Sequence, residues 1–207
     1  MTRRVRKRWN TTIRRRQIAD ATRMLIIRYG SGQITVSRIA REIGVSGSAI
    51  YKHFGSKRDI LALMLERAKE DLVDDIDKGR RAGQTPLQVL DDSLRNHVSS
   101  IEQRRGVYFQ VIAETVSLGD RELNEQASAV LDEYVAHIRD LVSEGVKTGE
   151  IRHDIDPDMT AVLITSTIKG MISMWALSNC VYKLEQRYLP LWGMLRSVIV
   201  SERTTQA

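Results

Sequence analysis

The chain has 207 residues, 42% of them apolar and 28% charged. That is enough to bury roughly 70% of the unfolded surface in one large domain or two small ones, and the balance excludes wholesale disorder. The single cysteine, Cys180, excludes an internal disulfide and points to a reducing cytoplasm, and the basic N-terminus lacks the apolar stretch of a signal peptide. The net charge of +6 is unevenly spread. Residues 1–58 carry 15 Lys/Arg against Asp20 and Glu42, a net +13, and the rest carry 17 basic against 24 acidic residues, a net −7. One strongly cationic end suggests a polyanionic partner for that end alone.

Apolar residues recur at three- and four-residue spacing and only three prolines occur, so the chain reads as all-α, with about nine helices. Residues 1–10 form a basic arm (Arg3, Arg4, Arg6, Lys7, Arg8). Thr11 or Thr12 can cap a first helix with Ile18, Thr22, Leu25 and Tyr29 on one face, ended by Gly30-Ser31-Gly32. Thr35 caps a short helix with Val36, Ile39, Ala40 and Ile43 inward, and Gly44 stops it. Ser46 opens another, with Ala49 and Ile50 inward, and Ser56 caps a long helix to about residue 80 through Ile60, Leu61, Met64, Leu65, Ala68 and Leu72. Pro86 suits the first turn of a helix to about residue 105. Further helices cover about 107–118 and 121–147. Asp156-Pro157-Asp158 is a strong start for one running to about residue 178, and a last helix spans about 184–200, kinked or begun by Pro190. The most apolar window, 159–177, contains Lys169, Gly170 and several Ser/Thr residues and reads as a buried helix rather than a membrane span.

Residues 36–54 carry the functional signal. Two short helices joined at Gly44 match a helix-turn-helix, whose first helix crosses the DNA backbone and whose second enters the major groove. Ala40 is small where the helices touch, and Val45 and Ile50 lock the second helix from beneath. Its outward face is Ser46, Gly47, Ser48, Tyr51 and Lys52. The spacing alone favours DNA binding and leaves a plain helical hairpin open.

The run from Thr35 to Leu61, above all Tyr51-Lys52-His53-Phe54-Gly55-Ser56-Lys57, resembles the DNA-binding signature of the TetR (tetracycline-repressor-type) transcription regulators. The resemblance is specific over residues 12–61 and rests beyond them on length, helix count and the closing pair of helices. It implies a three-helix DNA-binding unit over 11–58 and a ligand-binding and dimerisation domain over 59–207. Thr35 and Ser46 then sit at helix N-termini facing phosphates, Gly47, Ser48, Tyr51 and Lys52 meet base edges, and His53 and Lys57 contact phosphates. Phe54 reads as core, and the Tyr51 ring has an alternative place wedged on the scaffold. The arm departs from the minimal family pattern and either enters a minor groove, tracks phosphate or stays a solvated tail.

The family further implies a homodimer on a partly palindromic operator in double-stranded DNA, with half-sites about one turn (~34 Å) apart. Independently, Ser166, Gly170 and Ser173 permit close helix approach. Together with Ile164, Ile168, Met171, Trp175, Tyr188, Leu191, Trp192, Leu195, Val198 and Ile199 they make more apolar surface than one core readily uses. A small-molecule effector is also implied by the family, with Met64, Leu94, His97, Tyr108, Phe109, Ile112, Tyr134, His137 and Trp175 as candidate walls and few inward charges, which favours an apolar ligand. Some members of the family act without an inducer in chromosome organisation or cell division.

Other chemistry is not indicated. The four histidines (His53, His97, His137, His153) show no metal-ligand spacing, and Asp154, Asp156 and Asp158 lack the glycine and glutamate of a calcium loop. No cofactor, metal, membrane association or nucleophile–base spacing is expected, so the chain reads as a regulator rather than an enzyme or a protein-binding adaptor.

Overall fold

The computed structural model describes the backbone of residues 2–51, 54–79 and 83–201, and side chains from Thr12 onward apart from those of residues 73 and 75–79 within that span. Nine α-helices occur among the described residues: α1 (Thr2–Tyr29), α2 (Val36–Glu42), α3 (Gly47–Tyr51), α4 (Lys57–Gly79), α5 (Pro86–Gln103), α6 (Val107–Leu118), α7 (Arg121–Thr148), α8 (Pro157–Leu177) and α9 (Leu184–Ile199), with one 3-10 turn at Ser31–Gln33. The β-structure described is an isolated antiparallel bridge, Ile151 with Val200.

Local chemistry sets most boundaries. Thr35 accepts the Arg38 N–H at 3.2 Å and so caps α2. Thr85 and Gln88 form a reciprocal capping box ahead of Pro86. Asp156 accepts the N–H groups of Asp158 (2.8 Å) and Met159 (3.3 Å), so this carboxylate is a helix cap. At the start of α4, Ser56 accepts the Asp59 N–H while Asp59 accepts from Gly55 and Ser56. Gly30 and Gly44 take φ of +80° and +69°, the left-handed conformation that ends α1 and turns the chain between α2 and α3.

One expected boundary needs correction, and one alternative left open at the last helix is decided. The first helix starts at Thr2 rather than at Thr11 or Thr12: residues 2–29 contain no Gly or Pro, and Arg and Lys extend a helix readily. The last helix is continuous from Leu184, with Pro190 inside it. Its N-terminal N–H groups at Leu184 and Glu185 donate to Glu102 of α5, at 2.7 and 3.3 Å, a cap drawn from 82 residues away.

The chain divides into two compact units. The first comprises residues 1–69 and 107–128, the second 70–106 and 129–207; the boundary drawn from sequence after residue 58 falls inside the first. The first unit's core gathers Ile18, Leu25 and Ile26 of α1, Ile39 and Ala40 of α2, Ile50 of α3, Phe54, Ile60 and Met64 of α4 and Val107 and Val111 of α6. In the second unit, Asp91 of α5 accepts from Trp192 Nε1 (2.7 Å) and Arg196 Nε (3.1 Å) of α9. Gly145 is also fixed by packing there, since a Cβ on it would lie 2.6 Å from Ile151 Cδ1 and 2.9 Å from its Cγ1. Helix α8 has the length and composition of a membrane span, yet Ala161, Ile164, Ile168, Met171 and Trp175 are buried in the second unit, as in a core helix.

Candidate nucleic-acid interface

Helix α3 is held from beneath by one side chain. Ile50 is 1% exposed and belongs to the core cluster that includes Ile39 and Ala40 of α2, and the Phe54 N–H donates to the Ile50 carbonyl at 2.9 Å. Phe54 is itself 2% exposed, which makes it core as expected. Ala49, expected inward, is exposed: the short helix has room for one buried face, and Ile50 fills it.

The opposite face is open. Ser46 and Ser48 are exposed, their hydroxyls 3.0 Å apart, and Tyr51 is 53% exposed rather than wedged on the scaffold. Among the described residues a Cβ on Gly47 would meet the Tyr51 ring, at 3.8 Å, an ordinary contact that does not itself demand glycine. Thr35 is exposed beside α2, and its hydroxyl, which accepts from Arg38, keeps its own hydrogen to donate. Lys52 and His53 lie outside the described residues.

Lys57 occupies the first position of α4, half-buried, with Nζ 2.5 Å from Glu114 Oε1 on α6. The other oxygen of Glu114 accepts from the Ser31 hydroxyl at 3.2 Å. Arg58 pairs with Asp120 at 2.8 Å and with Glu122. The Leu123 N–H and the Arg58 guanidinium hold the Asp120 carboxyl below its ordinary range. Tyr29, expected inward, is 54% exposed at the end of α1, with the Arg38 guanidinium 4.9 Å above its ring; Ile26 takes the inward place. None of these partnerships was visible in sequence, because Lys57–Glu114 and Arg58–Asp120 join residues 57 and 62 positions apart.

The candidate effector residues fall in both units. In the first, Met64 is buried, and Tyr108 and Ile112 pack against its core, while Phe109 is half-buried. In the second, Leu94, Tyr134 and Trp175 are buried, and His97 stacks on Tyr134 with ring centroids 4.7 Å apart. His137 Nδ1 lies 2.9 Å from the Glu133 carbonyl. Trp175 donates to the Tyr182 carbonyl at 2.8 Å and lines a cleft of about 440 Å³ with Glu102, Arg105, Lys183 and Glu185.

The candidate dimer residues also divide. Tyr188, Trp192 and Ile199 are buried in the chain's own second unit and are not open to a partner, Leu191 and Leu195 are half-buried, and Ser173 is half-buried. Ser166 and Gly170 are exposed, in a stripe on α8 with Met159, Leu163, Met174 and Leu177 at three- and four-residue spacing; Leu177 is 84% exposed. Met194 and Val198 are exposed on α9. A Cβ on Gly170 would meet nothing within 4 Å.

Within the first unit, α2 and α3 joined by a glycine turn, with the polar face of α3 exposed, are a helix-turn-helix of the DNA-binding class. Residues 18–64 match the model for bacterial regulatory proteins of the tetR family, and residues 65–197 match the YsiA-like C-terminal region. The chain belongs to the tetR family, and it is a DNA-binding transcriptional regulator. It is 25% identical over 170 residues to the fatty acid metabolism regulator protein of Bacillus subtilis (strain 168), covering 81% of this chain and 86% of that one. It is 19% identical over 187 residues to the nucleoid occlusion factor SlmA of Aliivibrio fischeri (strain MJ11), covering 90% and 95%. The structure of FadR from Bacillus subtilis in complex with stearoyl-CoA superposes with a TM-score of 0.67 at 27% identity, covering 89% of this chain and 97% of that one.

Proposed function

We propose that the chain is a cytoplasmic homodimeric repressor, acting by binding rather than catalysis, that reads a partly palindromic operator through Gly47, Ser48, Tyr51 and Lys52. Thr35, Ser46, His53 and Lys57 hold the flanking phosphates. The observation that carries this reading is the open face of α3: small and polar side chains stand outward while Ile50 fixes the helix from below. Dimerisation is assigned to the exposed stripe of α8 (Met159, Leu163, Ser166, Gly170, Met174, Leu177) with Met194 and Val198 of α9. A Cβ on Gly170 would meet nothing within 4 Å, so this position leaves room for close approach.

The effector proposed is a long-chain fatty acyl thioester. The support is the likeness to the fatty acid metabolism regulator and to FadR with stearoyl-CoA, together with the apolar interior residues Leu94, Tyr134 and Trp175. An effector releases DNA only by binding the DNA-free conformation more tightly. The test is retention of a selected operator duplex in the presence of stearoyl-CoA, free stearate or CoA. Release by the thioester at micromolar concentration, and not by CoA, supports the assignment; retention with all three opposes it. The likeness to SlmA favours a second reading, a DNA-binding protein without inducer acting in chromosome organisation or division, and retention with all three is its expected result.

A further inference from the structure

Lys57 and Arg58 open a 23-residue helix with two cations at its positive end, where the dipole favours carboxylates. The first unit compensates with acids from α6 and the start of α7. Glu114 takes Lys57 at 2.5 Å, and Asp120 and Glu122 take Arg58. Glu114 is also anchored by the Ser31 hydroxyl, and its side chain is 21% exposed, so it is held in place rather than loosely solvated.

We propose that Glu114 is an internal stand-in for a DNA phosphate, competing with the duplex for Lys57 and thereby setting how tightly the regulator holds DNA of any sequence. The inference rests on the proposed phosphate role of Lys57. A lysine ammonium has three donors on a flexible stem, so it can leave one oxyanion for another with little change in the scaffold. Binding DNA then exchanges one ion pair for another, and the gain from Lys57 is smaller than for an unpaired cation. Because phosphate contacts carry no sequence information, the restraint acts on operator and random duplex alike. Its physical effect is to lower both affinities by the same factor and to leave their ratio unchanged.

The test measures binding of full-length dimer to a selected operator and to a random duplex across a salt series, for wild type, Glu114→Gln, Lys57→Ala, the double variant and Glu125→Gln. Glu125 pairs with Arg121 on the exposed surface, so its substitution matches the net-charge change. Glu114→Gln is expected to tighten both duplexes about fivefold with the salt slope nearly unchanged, because Lys57 neutralises the same phosphate in both proteins, whereas Lys57→Ala should flatten the slope by about 0.9. Lys57→Ala should weaken both, the double variant should show no gain over Lys57→Ala, and Glu125→Gln should match wild type. Equal or weaker binding by Glu114→Gln, or the same gain in Glu125→Gln or in the Lys57→Ala background, overturns the proposal. If Glu114→Gln melts below the assay temperature, Glu114→Asp replaces it, with a smaller gain expected and no gain contradicting. Wild type that retains no duplex would instead refute the DNA-binding assignment, and Lys57→Ala equal to wild type would refute the phosphate role of Lys57.

Discussion

Leu163→Glu combined with Leu177→Glu is expected to split the dimer and to lower operator affinity by about 10²- to 10⁴-fold. Both side chains stand on the open stripe of α8, 50% and 84% exposed, so the glutamates cost the single chain little. In the dimer each would be buried against apolar partners without a counter-charge, and an unpaired buried carboxylate costs several kcal/mol. Sedimentation should move from twice the 23.6 kDa chain mass to the single-chain mass, with unchanged helical circular dichroism. Loss of the second half-site removes the effective concentration that makes two weak contacts one strong one. A variant that still sediments as a dimer would place the interface elsewhere.

Trp175→Ala is expected to destabilise the fold by about 3–5 kcal/mol in urea unfolding. Trp175 is 1% exposed, its ring lies where a Cβ on Gly106 would come within 3.3 Å, and its indole N–H is satisfied by the Tyr182 carbonyl. Truncation removes packing next to the loop in which Asn179 and Cys180 hold positive φ, and the cost follows how far the surroundings relax into the space left. Trp175→Phe keeps most of the packing and should recover more than half of the loss. A cost under about 1 kcal/mol for the alanine variant would mean that the site collapses or was never tightly packed.

The helices were legible because their signals are local. Thr35, Pro86 and Asp156-Pro157 announce starts through a local cap or a first-turn proline, and Gly30 and Gly44 mark ends through backbone conformation. The sides that Ile50 and Tyr51 take were legible for the same reason, although Ala49, expected inward, is exposed. What periodicity could not settle is whose core an apolar residue enters. Tyr188 and Trp192 face inward while Met194 and Val198 face out, on one helix that is apolar on both sides. Nor could sequence order reveal Glu114 as the partner of Lys57, or Glu102 as the cap of α9, since each pairing is made by tertiary packing alone. Tyr29 shows the reverse case: its phase puts it on the buried face, but the helix ends there and Arg38 covers the ring instead.

The exposed face of α3 is assigned to the major groove. Selection from a random duplex pool with wild type and with Ser48→Glu tests it most directly, because one carboxylate on that exposed position repels phosphate and base acceptors without touching Ile50. Wild type should enrich a partly palindromic site with half-sites about one helical turn apart, and Ser48→Glu should enrich nothing while melting and sedimenting as wild type does. Enrichment of the same site by both proteins, or of no site by wild type, would contradict the account.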